Sequence, residues 1–125
     1  MHRHSPIIVL NLQFNIYLYI DMDAIKSYED EINNLISNQM TLREAGVLRI
    51  SQITLKLEEF EFELQKTFDK SLEQYIEVVD KYPYHEGGII DAMKEGATVE
   101  LGRLNKVKKL KKKWNDWMND MFDYF

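Results

Sequence analysis

Apolar residues recur at steps of three and four at Ile50, Ile53, Leu57, Phe60, Leu64, Phe68, Leu72, Tyr75, Val79 and Tyr82. That rhythm lays a continuous stripe along one side of an α-helix and constrains the fold more than any other feature of the chain. A second series, Leu48, Leu55, Phe62 and Ile76, repeats every seven residues, with Asp69 in the gap, and lies well round the helix from the first. A helix that is apolar on two faces needs neighbours on both, so the expectation is a buried central helix. A competing period of two runs through Ile53-Thr-Leu-Lys-Leu57 and Phe60-Glu-Phe-Glu-Leu64. It would make a β-hairpin turning at Glu58-Glu59, where a two-residue turn wants Asn-Gly or Asp-Gly chemistry. The length of the helical pattern decides for helix.

Ahead of this stretch, residues 1–6 are polar and Ile7 to Ile20 alternate strictly. Leu10, Leu12, Phe14, Ile16, Leu18 and Ile20 face one way, and Asn11, Gln13, Asn15, Tyr17 and Tyr19 the other. Alternation of this kind predicts a β-strand. A lone strand leaves its backbone groups unpaired, so it predicts pairing with a second copy or with another protein's sheet edge. The run falls short of the ~20 apolar residues of a membrane-spanning helix, and no small-residue cleavage site follows it as in a signal peptide. No transmembrane span is expected. Met22 offers an internal start that would make 1–21 an extension.

Asp23 reads as the cap of a helix from Ala24 to about Met40, with Ile25, Tyr28, Ile32, Leu35, Ile36 and Gln39 along one side. Thr41-Leu-Arg-Glu44 reads as a capping box that opens the next helix at Leu42, and this one runs to Tyr82. Pro83 and Gly87-Gly88 stop it. A third helix then runs from about Ile89, with Ile90, Met93, Ala97, Leu101, Leu104, Val107, Leu110, Trp114, Trp117, Met121 and Tyr124 in series. Gly96 and Gly102 weaken it by about 1 kcal/mol each relative to Ala and suggest close packing or a bend. The expected fold is mainly all-α: an elongated antiparallel helical hairpin with two long helices, a shorter first helix and an N-terminal β-strand. The alternative is α+β, with a small sheet formed by 7–20 and 48–65. Residues 1–21 form an N-terminal extension and 22–125 the helical hairpin domain.

Seven cations between Arg103 and Lys113 (Arg103, Lys106, Lys108, Lys109, Lys111, Lys112, Lys113) stand without one acid, while the whole chain carries −5. Folding the two long helices back about His85 makes facing positions add to about 170. Lys106 to Lys113 then lie opposite Leu57 to Leu64, where Glu58, Glu59, Glu61 and Glu63 sit. Exposed ion pairs add only ~0–1 kcal/mol each, so this match selects register more than it stabilises. The other reading of the run is a patch for nucleic acid or an anionic surface. The acidic total argues against a general nucleic-acid binder.

The last twelve residues crowd Trp114, Trp117, Met118, Met121, Phe122, Tyr124 and Phe125. Chain ends are usually polar, and these residue types are enriched at interfaces. Trp114, Trp117, Met118, Met121, Phe122 and Phe125, together with Leu48, Leu55 and Phe62, make the expected protein interface.

Chemistry is sparse. The absence of cysteine excludes disulfides, thiolate metal sites and cysteine nucleophiles, and fits an intracellular, reducing setting. Asp21-Met-Asp23 closes the line Tyr17-Leu-Tyr-Ile-Asp-Met-Asp-Ala, and carboxylates at a strand end suit hard cations. Those eight residues resemble the strand-end Asp-x-Asp of haloacid-dehalogenase phosphatases and the first metal motif of lesion-bypass DNA polymerases. The resemblance implies Mg²⁺-dependent phosphoryl chemistry, but the further acids and cations of those families have no counterparts here. His2, His4 and His85 form no constellation with a nucleophile or a paired carboxylate. There is no P-loop, no Gly-x-Gly-x-x-Gly and no Gly-x-Ser-x-Gly.

At 125 residues, 45% hydrophobic and 30% charged, the chain is a single ordered domain, not a disordered tail. The functional expectation is a non-enzymatic helical interaction protein without a cofactor. It would be a structural subunit or adaptor that binds protein partners or itself. A small regulator using the Lys-rich run is the alternative, and a metal-dependent enzyme using Asp21 and Asp23 is third.

Overall fold

The computed structural model describes residues 6–81 and 88–122, with side chains from residue 22 onward. It contains four helices: α1 (Pro6–Ser37), α2 (Leu42–Ala45), α3 (Val47–Lys81) and α4 (Gly88–Phe122). The chain divides into two units, Met1–Met40 and Thr41–Phe125.

In the first unit α1 is a single helix, which corrects two expectations. Residues 7–20 are helical, not a strand, so neither the lone strand nor the sheet of 7–20 with 48–65 forms. Among the described residues no strand occurs. The physical reason lies in the backbone: an isolated strand leaves every donor and acceptor in search of a neighbour, whereas a helix closes them internally. Pro6 suits the first helical position, since its missing N–H would have no partner there. Asp23 consequently lies mid-helix and caps nothing. Ile25, Ile32 and Leu35 are buried along one face, at three of the positions expected of this helix.

α1 ends in a Schellman turn. The Met40 amide donates to the Leu35 carbonyl at 3.1 Å, the Gln39 amide to the Ile36 carbonyl at 3.1 Å, and Gln39 takes the left-handed position at φ 51°.

The second unit opens with the expected capping box. The Glu44 amide donates to Thr41 Oγ1 at 3.1 Å, and the Thr41 amide donates to Glu44 Oε1 at 3.2 Å. The helix that begins there lasts one turn. Gly46, at φ 90° and ψ 132°, interrupts it, so the uninterrupted helix expected from Leu42 is instead α2, a break, and α3. The Ile50 amide then donates to the Gly46 carbonyl at 3.0 Å and starts α3.

α3 and α4, each 35 residues and so about 52 Å long, form a long antiparallel pair. Ile53, Leu57, Phe60, Leu64 and Thr67 from α3 are buried with Ala97, Glu100, Leu104, Val107, Leu110, Trp114 and Trp117 from α4. Cross-pairs fix the register: Trp114 with Thr54, Lys111 with Glu58 and Glu61, and Glu100 with Ser71. Facing positions thus add to between 168 and 172, as the charge runs predicted. The core is tight in the half away from the connection between the helices. Past Thr67 and before Ala97 the apolar positions are only half-buried or exposed, with Leu72 at 38% and Ile89 at 59%. The expected stop signals Pro83 and Gly87, with Tyr82 and His85, lie outside the described residues. Gly96 and Gly102 are exposed with nothing within 4 Å of a Cβ built on either, so close packing does not explain them.

Candidate interaction surface

On α3, the stripe at steps of three and four supplies the core, and the seven-residue series is left on the opposite face. Leu48 is 75% exposed, Leu55 65%, Phe62 70% and Ile76 50%. Seven residues advance a helix by two turns less about 20°, so these side chains form one shallow row. Val47 adds to its N-terminal end. The expectation that α3 would be covered on both faces is corrected among the described residues: there its core face is buried and the seven-residue row is exposed. Single exposed apolar residues are ordinary, but a row at helix–helix spacing is what a second helix reads. Beside it, Lys56 sits 5.6 Å from the centre of the Phe60 ring and 3.1 Å from Glu59.

The aromatic end divides in two. Trp114 and Trp117 are buried within the chain, stacked with ring centres 5.1 Å apart. Trp114 Nε1 donates to Thr54 Oγ1 at 3.0 Å, and that hydroxyl donates to the Ile50 carbonyl at 2.8 Å. Thr54 Oγ1 also lies 3.9 Å from Met118 Sδ. The Trp117 indole N–H is buried without a hydrogen-bond acceptor. Met118 and Met121 are half-buried, and Phe122 is 62% exposed. Tyr124 and Phe125 lie outside the described residues. The two tryptophans therefore serve the core, and Leu48, Leu55, Phe62 and Phe122 are the interface candidates that present surface.

The basic run also divides. Lys111 Nζ reaches across to Glu58 at 2.7 Å and Glu61 at 3.4 Å. The hydrogen bond that the ammonium donates to Glu58, then the charges of Glu61 and Glu58, hold it above its ordinary pKa against the opposing effect of burial. Lys112 turns instead to Asp116 on its own helix, at 2.9 Å. Arg103 is half-buried, and Lys106, Lys108, Lys109, Lys112 and Lys113 are exposed. The basic run thus meets the acidic run at Lys111, while Lys106, Lys108 and Lys109 stand on the exposed surface of α4.

Asp21 and Asp23 lie within the helix α1 and not at the end of a strand. Asp23 is exposed. Among the described residues, no group of three His, Asp or Glu side chains converges as metal ligands. His2, His4 and His85 lie outside those residues. No described helix is long and apolar enough to cross a membrane.

One feature escaped sequence reasoning. Glu100, 6% exposed, occupies a core position that the pattern assigned to Leu101, which is 39% exposed. Steps 97–100–104–107 are as helical as 97–101–104–107, and periodicity follows the apolar residue when both are open. Burial raises the Glu100 pKa above 4.5, opposed by a hydrogen bond from Ser71 and by the charge of Arg103. One carboxylate oxygen has no hydrogen-bond partner.

No protein-family model, curated protein or solved structure matches the chain.

Proposed function

We propose that this protein is a non-enzymatic helical interaction protein, a structural subunit or adaptor within a larger protein assembly. The observation behind this reading is the row Leu48, Leu55, Phe62 and Ile76, left in solvent on the face of α3 opposite its core. Apolar side chains at seven-residue steps are the recognition element of helix-on-helix association, and their burial there is favourable at roughly 25 cal/mol per Å². The test is native purification of the full chain from its source, beside a Leu55→Glu, Phe62→Glu double variant. Both positions are exposed, so the variant keeps its helical circular dichroism. A defined protein complex, lost in the variant, is the expected result. Recovery of the same complex with the variant overturns the reading.

A second reading rests on a different observation, the exposed lysines of α4 at 106, 108, 109, 112 and 113. Such a face suits a small regulator contacting nucleic acid, with affinity falling steeply as salt rises. Replacing Lys106, Lys108, Lys109 and Lys112 by Gln then weakens binding to a random-sequence DNA duplex and flattens its salt dependence. Unchanged binding removes this reading.

A further inference from the structure

We propose that the exposed row of α3 is a self-complementary seam on which a second copy of this chain docks antiparallel, about a two-fold axis at Leu55. The proposal rests on the interaction-protein reading and names its occupant. It is drawn from the order of residues along the exposed face.

Leu48, Leu55 and Phe62 are equally spaced over about 21 Å of helix, and Asp69 ends the apolar stretch. In an antiparallel helix pair, residues at one level add to a constant. A constant of 110 sets Leu55 against Leu55, and Leu48 against Phe62 of the second copy, twice by symmetry. Leu48, Leu55 and Phe62 then each meet another apolar side chain, while Val47 stands level with Glu63 and Ile76 lies beyond the seam.

The neighbouring registers fail on charge. Centring on Phe62 sets Leu48 against Ile76 but drives Leu55 onto the Asp69 carboxylate and Glu61 onto Glu63, each twice by symmetry. Centring midway between Leu55 and Phe62 sets Leu48 against Asp69 and Glu58 against Glu59 of the other copy. A parallel pair in register lines up Glu58 with Glu58, Glu59 with Glu59 and Lys66 with Lys66, all like charges on the flanks of the seam. With the axis at Leu55, Glu58 stands level with Gln52 of the second copy, Glu59 with Ser51 and Lys56 with Thr54. No like charges meet between residues 48 and 62. Such a contact is isologous and closed, so it stops at two copies. Three apolar side chains from each copy make a seam smaller than the ~800 Å² per partner of stable interfaces. Association is therefore reversible and deepens as concentration rises.

The chain contains no cysteine, so a single introduced thiol reports its own neighbours. Full-length Leu55→Cys, Leu48→Cys and Phe62→Cys are oxidised separately, and Leu48→Cys is also mixed equally with Phe62→Cys. A disulfide needs Cα atoms roughly 4.4–6.8 Å apart, which makes the readout specific to register. Leu55→Cys should form a covalent dimer at least about tenfold faster than either other variant alone, and the mixture should form the heterodimer. In sedimentation equilibrium, wild type should move toward dimer with concentration while Leu55→Glu stays monomeric with unchanged helical content. Equal rates for all three single variants, or fastest self-coupling of Leu48→Cys, overturn the antiparallel seam. A wild type that stays monomeric up to millimolar concentration also overturns it. In that case, loss of a native complex by the Leu55→Glu, Phe62→Glu variant keeps the interaction-protein reading, and its retention ends both.

Discussion

The indole N–H of Trp114 donates to the hydroxyl of Thr54 at 3.0 Å, sixty residues away in sequence, and this bond lies across the buried seam between α3 and α4. A fully buried indole donor is costly if left unpaired, and the Thr54 hydroxyl is already anchored by its own donation to the Ile50 carbonyl. Replacing Thr54 by Val conserves shape and removes the acceptor. The expected loss is about 1–3 kcal/mol in urea unfolding, with a change in tryptophan emission because Trp114 stacks on Trp117. Thr54→Ser should restore most of that stability. If Thr54→Val unfolds at the wild-type midpoint, the bond adds nothing to the folded state.

Glu100 makes stability depend on pH in the less usual direction for an acid. Its folded pKa is raised above 4.5, first by burial, against the restraining Ser71 hydrogen bond and the charge of Arg103. A carboxyl of this kind binds its proton more tightly folded than unfolded. Its contribution is fully present below about pH 4.5 and is lost as pH climbs through the folded value. Glu100→Gln keeps the shape without the charge. Denaturant midpoints measured from pH 4 to pH 8 should show the variant level with wild type at the acid end and increasingly more stable toward neutrality. A constant difference across that range would mean that the carboxyl is not desolvated.

Glycine has opposite value at two kinds of site. Gly46 holds φ 90° with ψ 132°, a region that side-chain-bearing residues avoid, and a Cβ there meets nothing within 4 Å. Gly46→Ala therefore suffers from backbone strain alone, about 1–3 kcal/mol, and should lower the melting temperature. Gly96 and Gly102 are exposed, helical and equally uncrowded. Alanine at either should raise stability by up to about 1 kcal/mol. Calorimetry on the three variants checks both signs at once, and a neutral Gly46→Ala would mean that the break between α2 and α3 is not fixed by that residue.

The helical stripes, the capping box and the register of the long pair were legible because each is a local rule repeated many times. Ten apolar positions at steps of three and four leave little freedom for α3, and the match of Lys111 to Glu58 and Glu61 follows once the two helices fold back. What was not legible depended on choices between two satisfied patterns. Residues 7–20 alternate, yet Ile7, Leu10, Phe14 and Leu18 also follow helical steps, and with no strand among the described residues to pair with, helix is the form that closes the backbone bonds. The second row of α3 reads as a buried face because apolar residues usually are; nothing local says that Leu48, Leu55 and Phe62 stand exposed among the described residues. Trp114 and Trp117, assigned to an interface by residue type, serve the core by position.

Lys111 separates the part of the basic run that belongs to the fold from the part that does not. Its ammonium sits 2.7 Å from Glu58 and 3.4 Å from Glu61, and its pKa is raised above 10.5 by the Glu58 hydrogen bond foremost. The sign is that of a cation gaining acceptors: the contribution is present below pH 10.5 and is lost as pH rises beyond it. Both acids remain partly solvated, at 56% and 30% side-chain exposure, so screening limits the whole group to about 1 kcal/mol at most. Lys111→Gln should cost that much in low salt and less in 1 M salt, whereas Lys106→Gln and Lys109→Gln, on the solvent side of α4, should leave the unfolding midpoint unchanged. Equal losses at all three positions would mean that the run acts through its summed charge and not through the bridge of Lys111 to Glu58 and Glu61.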